Sequence, residues 1–363
     1  MKSPSPTMRE VAARARVSVS TVSLALRNSP RVGAATRSAV AAAAAALGYR
    51  IHPLVAAHMR TRRRPAHRAM RPVLAIVNTQ RLRDGWRDNR TTMVRAMLTG
   101  ARAQAAARGY ETREFWLHEP GMSHARFSDM LRARGVHGIL LGPSSDLPLE
   151  LDLKWEWFSA VRMGSARMTP LLHRVVVDHY QVGRLAALQA HAAGYRRPLL
   201  PMREPFSAAH DRRMEGGFHT AWTYLPGTRA APVPATQGMA DAAQLAQWLR
   251  DYRPDIVIEN EERNLLDLLV RAGWNVPEDI GYLSMCSPEP GGAISGCVQD
   301  GALVAAAAVD LLTAMVERNE TGLPAAPVTL SANAVWNPGR TMRNRGEDRK
   351  AGTGNRGRET GVG

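Results

Sequence analysis

The sequence lacks most features of secreted, membrane-spanning or metal-stabilised proteins. Its 363 residues include two cysteines, Cys286 and Cys297, which are too few for a disulfide framework and lack the paired spacing of a zinc site. No unbroken apolar run approaches the roughly 18 residues of a membrane span. The N-terminus, MKSPSPT, has no apolar stretch typical of a signal peptide. We therefore expect a soluble, cytoplasmic protein with no membrane partner.

Acidic residues are nearly absent from the first 71 positions. There Glu10 stands alone against fourteen Lys and Arg residues, which gives a net charge of +13. Residues 339–363 have a net charge of +4, so that −1 of the total of +16 is left for residues 72–338. A strongly basic N-terminal segment followed by a near-neutral chain predicts binding to a polyanion such as duplex DNA. The alternative is an arginine-rich composition on solvated faces. It explains the positive charge of residues 339–363 better than that of residues 1–71.

Catalytic motifs are also missing from the sequence. It contains no G-x-S-x-G elbow, no P-loop and no G-x-G-x-x-G after a predicted strand. The strongest enzyme-like pair is Asp178-His179, and capping of a following helix explains the aspartate. We expect no enzymatic activity, no cofactor and no metal site. The alternative is a sugar-active or nucleotide-active enzyme fused to a DNA anchor.

Three short helices are predicted between Thr7 and Tyr49. Thr7 and Glu10 have the spacing of a capping box, and Ser18 is the N-cap of a second helix. A third helix is predicted from about Ala34 to Leu47, with a stop at Gly48. This pattern predicts a helix-turn-helix domain.

The run VAARARVSVSTVSLALRNSPRV resembles the headpiece of the lac and purine repressor family, and the resemblance extends over Thr7 to Met59. The family often has glycine in the turn where this chain has Arg16, and a left-handed residue there costs about 1 kcal/mol. The resemblance implies a set of DNA-binding residues. They are Thr7, Ser18, Val19, Ser20, Thr21, Ser23, Leu24, Arg27, Arg31, His58 and Met59.

Residues 50–64 resemble the family's hinge helix, which inserts an apolar side chain into the minor groove. The family's leucine falls on His58, with Met59 next, so either residue is a candidate for the wedge. The alternative interpretation is a flexible linker.

From Arg71 onward, short apolar strands alternate with amphipathic helices, and the pattern restarts after Asp178. This predicts an α/β core of two doubly wound lobes over residues 65–338, after the headpiece at 1–49 and the hinge at 50–64. The core resembles a periplasmic sugar-binding protein, with crossovers between the lobes near Asp178, Asp300 and Leu323. Residues 339–363 have the composition of a disordered basic tail.

The same resemblance implies an effector site in the cleft between the lobes. Its residues are Met93, Arg212, Arg213, Gln237, Asn260 and Cys286. Cys286 stands where sugar-binding relatives carry an aspartate, and a thiol cannot accept two hydroxyls as a carboxylate does. Arg212 and Arg213 favour an anionic ligand, such as a uronate or a phosphorylated metabolite. The alternative is a pair of solvated arginines beside a vestigial pocket.

These features predict a sequence-specific transcriptional regulator, most simply a repressor, which binds a palindromic DNA operator as a homodimer. A small-molecule effector, a carbohydrate or a sugar acid, is expected to control it. The alternative is a sensorless dimeric regulator whose core serves only to dimerise.

Overall fold

The computed structural model describes residues 7–26, 29, 31–47, 49, 72–87, 92–144, 149–229, 231–237, 239–260, 264–287 and 289–344. The described residues of the N-terminal domain form three helices. They are α1 (Met8–Arg14), α2 (Val19–Ala25) and α3 (Ala34–Leu47). Val11, Val22 and Val40, one from each helix, are fully buried against one another in a small apolar core. The domain is therefore held by a few aliphatic contacts.

Both predicted helix caps of this domain are confirmed. The Thr7 hydroxyl accepts from the Glu10 backbone N–H at 3.4 Å while the Glu10 carboxylate accepts from the Thr7 N–H at 2.5 Å. The Ser18 hydroxyl accepts from the Thr21 N–H at 3.1 Å. Each cap satisfies backbone donors that the first helical turn leaves unpaired. The turn between α1 and α2 is thereby fixed by local bonds.

Lobe one is built on a six-stranded, wholly parallel sheet with the order β14-β7-β5-β3-β1-β2. Its strands are β1 (Val73–Asn78), β2 (Glu111–Trp116), β3 (Val136–Leu141), β5 (Ser159–Met163), β7 (His173–Val177) and β14 (Thr329–Ala332). Helices α4 (Thr92–Ala107) and α11 (Gly301–Arg318) pack on one face of the sheet. Helix α5 (His124–Ala133) packs on the other face. The short strands β4 (Leu149–Glu150) and β6 (Met168–Thr169) form a separate pair.

Lobe two has a five-stranded sheet with the order β15-β13-β12-β11-β8, in which only β15 is antiparallel. Its strands are β8 (Pro198–Leu199), β11 (Ile256–Glu259), β12 (Gly281–Ser287), β13 (Gly296–Val298) and β15 (Val335–Asn337). The strands β9 (Met202–Arg203) and β10 (Ala235–Thr236) form a separate parallel pair.

In the part of lobe two that the structure describes there are five helices. They are α6 (His179–Ala192), α7 (Glu204–Ala209), α8 (Arg213–Thr223), α9 (Ala242–Tyr252) and α10 (Asn264–Arg271). Helices α6 and α8 cover one face of the sheet, and α9 and α10 cover the other. The predicted architecture of two doubly wound α/β lobes behind a helix-turn-helix domain is thus confirmed.

Three crossovers join the lobes, two of them where the sequence predicts them. Asp178 follows β7 and caps α6, and Asp300 follows β13 and caps α11. The prediction of the third crossover at Leu323 is wrong, because the chain first adds β14 to lobe one and crosses between Ala332 and Val335. Strand β14 is mostly exposed and has no apolar alternation, so its sequence carried no strand signal.

The core continues past the predicted boundary at residue 338. The Thr341 carbonyl accepts from the Tyr282 N–H at 2.8 Å, and the Arg343 N–H donates to the Tyr195 hydroxyl at 3.1 Å. Residues 339–344 are therefore bonded to lobe two, while the rest of the predicted tail lies outside the described residues. Within the described ranges, no helix combines the length and the apolar character that crossing a membrane requires.

Candidate DNA interface and effector cleft

Helix α2 presents a small, weakly polar surface. The Val19 side chain is 42% exposed, and Ser20 beside it is exposed as well. The Ser20 hydroxyl lies 2.7 Å from the Ser18 hydroxyl, which also lies 2.8 Å from that of Thr21. This face offers a methyl surface and a cluster of hydroxyls that can donate or accept, the groups suited to thymine methyls and base edges.

Other predicted DNA-binding residues differ in their placement. Leu24 is half-buried and packs against the apolar core of the N-terminal domain, so less of it is available to a ligand than of Val19. Thr7 and Arg31 are exposed, and Ser23 is half-buried. Arg27, His58 and Met59 lie outside the described residues, together with the predicted hinge at 50–64.

A side chain outside the predicted set fixes the segment between α2 and α3. Arg37 donates from Nη2 to the carbonyl of Val32 at 2.9 Å and to that of Ser29 at 3.4 Å. Its Nε is buried and has no partner among the described residues. Arg37 therefore positions the loop that carries Arg31.

The carboxyl edges of the two sheets border the cleft, because all three crossovers leave from strand ends at those edges. Parallel α/β sheets bind ligands at this edge. Three buried side chains here have a polar atom without a partner among the described residues: Arg162 Nε in lobe one, and Asn260 Nδ2 and Gln299 Oε1 in lobe two. Since buried polar atoms are normally satisfied, these three atoms are candidate contacts for a bound molecule.

Arg162 is the most unusual residue of the cleft. It occupies β5, is 6% exposed, and its hydrogen bonds within the described part of the chain run from Nη2 to the carbonyls of Gly164 and Ala166. No described carboxylate pairs with it. Burial, and then the neighbouring Arg174, lower the pKa of Arg162 to about 10. A guanidinium buried without a counter-ion is costly, and it creates a strong preference for an anion.

Aromatic side chains from lobe two close over this region. Phe206 and His210 stack with ring centroids 4.2 Å apart, and the His210 ring lies 5.0 Å from that of His179. The Ser165 hydroxyl lies 3.3 Å from His179 Nδ1. Burial lowers the pKa of His179 to about 3, with His210 and Arg213 adding to the shift, and burial also lowers the pKa of His210. Both rings are therefore neutral at physiological pH.

The two arginines predicted to favour an anion are already partnered. Arg212 contacts Glu204 closely and Glu215 at 3.3 Å, and half of its side chain is exposed. Arg213 Nη2 lies 3.8 Å from Asp178 Oδ1. Asp211 and Arg212 both have left-handed backbones, with φ of 53° and 51°, so the start of α8 is held in a strained conformation.

The remaining predicted effector residues are spread along the cleft edge. Asn260 directly follows β11 and lines a small recess with Arg203 and Thr236. Cys286 is half-buried in β12, where its sulfur accepts from Gln299 Nε2 at 3.3 Å. Met93 packs half-buried against the main core, and Gln237 is exposed beyond β10. Among the described residues, no group of three or more His, Cys, Asp or Glu is placed to hold a metal.

Sequence reasoning missed Arg162, Gln299 and His210. The sequence does contain a signal for Arg162, because this charged residue interrupts the otherwise small and apolar strand Ser159–Met163. Gln299 directly precedes the predicted crossover at Asp300. His210 has no local signal, because α7, the short helix before it, was not predicted.

Together, a helix-turn-helix domain and a two-lobed α/β core define a regulator architecture. Residues 7–51 match the family model of bacterial regulatory proteins, lacI family. The N-terminal domain is therefore a DNA-binding domain of the lacI family, as its motif predicts. No curated protein has a matching sequence.

Solved structures support the fold of the whole chain. One is the transcriptional regulator CelR in complex with cellobiose, which is 20% identical, with 93% of this chain and 99% of that chain covered and a TM-score of 0.56. Another is a LacI family regulator from Enterococcus faecium with bound ribose, at 14% identity, 75% and 99% coverage and a TM-score of 0.55. A third is the lac repressor dimer bound to operator and an anti-inducer, at 18% identity, 94% and 100% coverage and a TM-score of 0.52. At these identities the similarity establishes the fold alone.

Proposed function

We propose that this protein is a repressor that binds a palindromic DNA operator as a homodimer, under the control of a small-molecule effector held between its lobes. The observation that carries this proposal is the capped α1–α2 unit of a lacI family domain, which presents Val19 and Ser20 on an exposed helix face. Operator binding would place the protein in the cytoplasm. Residues 50–64 form the hinge in this proposal, with His58 or Met59 as the wedge.

The recognition surface predicts the form of the operator. Val19 and the exposed part of Leu24 contact thymine methyls, and a serine hydroxyl bonds to several bases, so the direct code is weak. Discrimination then depends on the hinge and on DNA shape at the centre of the site.

Selection from random duplexes tests this function. We expect a palindrome with a strongly preferred centre and softer flanks. A reporter gene driven from a promoter that carries the selected site should be repressed by the protein. A non-palindromic site contradicts the dimer, and activation of the reporter contradicts the repressor.

An apolar groove on lobe two supports the homodimer. It lies between α9 and α10 and is lined by Leu245, Leu249, Leu268 and the partly exposed Trp274. An exposed apolar surface of this kind is typical of a protein interface. The lac repressor dimer has the same fold, which supports pairing of this chain through its core.

Sedimentation of two charge variants tests the groove. Leu268→Glu places a charge in the groove and should convert the dimer to a monomer at micromolar concentration. Tyr224→Glu is the matched control, since Tyr224 is 85% exposed at the end of α8. Dissociation of both variants, or of neither, contradicts pairing through this groove.

The effector proposal rests on the cleft and its unpaired buried polar atoms. Sugar complexes of proteins with this fold support a carbohydrate-like ligand. The proposed contacts on lobe two are Asn260 and Cys286, with Met93, Arg212, Arg213 and Gln237 bordering the opening. The sensorless alternative has one observation in its favour, which is that the rings of His179, Phe206 and His210 pack against one another at this place.

A further inference from the structure

Positive charge at the carboxyl edge of lobe one is not neutralised within the described part of the chain. Arg162 is buried there beside Arg174, which bonds to the Thr329 hydroxyl at 2.9 Å and to the Ser165 carbonyl at 3.4 Å. Both arginines use neutral oxygens as partners. By contrast, Arg212 is ion-paired with Glu204 and Glu215. Arg213 is ion-paired with Asp178.

A narrow recess, with room for no more than about one water molecule while the lobes stand as they do, leads to this charge. It lies at the carboxyl ends of β3 and β5 and is lined by Gly142, Ser144, Arg162, Gly164 and Arg167, among others. Arg167 is exposed and reaches across to lobe two, where it donates to the Ala208 carbonyl at 3.4 Å. The recess thus joins a buried guanidinium, an exposed guanidinium and the boundary between the lobes.

The geometry of Arg162 selects the kind of group that fits. Its Nη2 is used by two carbonyls, whereas its Nε is fully buried and has no partner among the described residues. Guanidinium groups form their strongest hydrogen bonds to carboxylate and phosphate oxygens, which also supply the missing counter-charge. A neutral hydroxyl satisfies the hydrogen bond but leaves the charge uncompensated.

We propose that the Arg162 recess binds the anionic group, a carboxylate or a phosphate, of the effector. This inference rests on the proposed function of an effector-controlled regulator, and it assigns the anion to Arg162 rather than to the ion-paired Arg212. The ligand class is a small acidic metabolite, such as a sugar acid or a sugar phosphate. Lobe opening at the Arg167 contact admits the ligand, and its anion then completes the bonding of Arg162.

Calorimetric titration of the full-length protein tests the proposal. The probes are glucose, glucuronate, glucose 6-phosphate and inorganic phosphate at one fixed ionic strength. We expect at least one anionic probe to bind and glucose not to bind. Arg162→Met should weaken that binding about 10- to 100-fold, the loss expected for a hydrogen bond to a charged group. Arg162→Lys keeps the charge and should lose less affinity.

The control is Arg197→Met, which removes an exposed arginine at the opposite, amino edge of lobe two and should leave binding unchanged. Circular dichroism of each variant establishes that it is folded. Binding of inorganic phosphate alone assigns the recess to a phosphate group, and binding of glucuronate alone assigns it to a carboxylate. Equal loss in Arg197→Met shows a general charge effect and overturns the proposal.

Operator binding, measured in parallel, separates this proposal from the function on which it rests. If the protein binds its operator and responds to glucose but to no acid, the anion assignment fails and the effector-controlled regulator stands. If the operator is bound and no probe binds, the anion assignment also fails, and the sensorless alternative gains support. If no DNA is bound, the proposed function itself fails, whatever Arg162 binds.

Discussion

Arg16 shows how a single backbone angle adjusts the stability of the DNA-binding domain. It is exposed in the turn between α1 and α2 and has φ of 52°. This left-handed backbone conformation is unfavourable for a residue that has a Cβ. The turn nevertheless forms, because the caps at Thr7 and Ser18 hold both flanking helices. The domain therefore carries local strain at this residue.

Replacing Arg16 by glycine should relieve that strain. We expect Arg16→Gly to raise the free energy of unfolding of the domain by about 0.5 to 1 kcal/mol, after the greater flexibility of glycine in the unfolded chain is deducted. The matched control is Arg14→Gly, which replaces the last residue of α1 and should lower stability by up to about 1 kcal/mol. Amide hydrogen exchange of α1 to α3 in the intact protein measures both. Loss of protection in Arg16→Gly would show that the turn is not strained.

His179 makes the stability of the core depend on pH. It is neutral in the folded protein because burial lowers its pKa from 6.5 to about 3, whereas the unfolded chain takes up a proton near pH 6.5. Between these values the unfolded state binds more protons, so stability falls as the pH falls. The loss approaches about 1.4 kcal/mol per pH unit for one proton.

We predict that the melting temperature depends less steeply on pH in His179→Gln than in the wild type. The melting temperature of the core should fall less steeply between pH 6.5 and pH 5 than in the wild type. The comparison variant is His137→Gln, which replaces an exposed histidine of β3 and should keep the wild-type slope. Identical slopes in all three proteins would contradict a neutral, buried His179.

At the scale of elements, the contact between α6 and α8 depends on two glycines. A Cβ on Gly183 would clash with the Met214 carbonyl, and a Cβ on Gly217 would clash with the Tyr180 carbonyl. The helices therefore touch backbone to backbone. Since Tyr180 lies in the first turn of α6, two residues after the Asp178 crossover, this contact also holds lobe two against the strand end of lobe one.

Gly217→Ala should therefore destabilise the core by about 1 to 3 kcal/mol, the usual cost of overpacking. The neighbouring Gly216 provides the control, because no atom lies within 4 Å of the Cβ that Gly216→Ala would add. That change should stabilise helix α8 by about 0.5 to 1 kcal/mol. Scanning calorimetry of both variants checks the prediction, and equal shifts of the same sign would disprove the backbone contact.

Elements with local signals were predictable from the sequence. Helix α11 has local signals at both ends, because Asp300 caps its start and the left-handed Asn319 ends it. The caps at Thr7, Ser18 and Asp178 are equally local. Helix α7 was missed since its six residues hold no periodic pattern, and strands β14 and β15 were missed since they pair with strands distant in sequence.

The cleft was predictable only in outline. Its location follows from alternation of strands and helices, but the state of each side chain depends on long-range packing. Arg212 has its charge matched by Glu204, eight residues away, while Arg162 is buried in β5 and bonds to the carbonyls of the loop that follows. Residue type alone does not distinguish these two arginines.

At the scale of the whole molecule, the net positive charge and the two-lobed core lie in different parts of the chain. Residues 1–71 carry +13 of the net charge of +16, and the two lobes behind them are near neutral. In the proposed mechanism, residues 1–71 bind DNA, lobe two forms the dimer, and the cleft between the lobes binds the effector. Effector binding then changes closure of the lobes and hence the pairing of the hinges.

Salt-dependent DNA binding of the full-length protein and of a fragment comprising residues 65–363 tests this account most directly. On the selected duplex, fluorescence anisotropy should show that the affinity of the full-length protein falls linearly with salt on logarithmic axes. The fragment should not bind. Arg31→Ala should lower the slope by about 1 if its guanidinium contacts a phosphate. Binding that does not depend on salt, or binding by the fragment, would contradict the account.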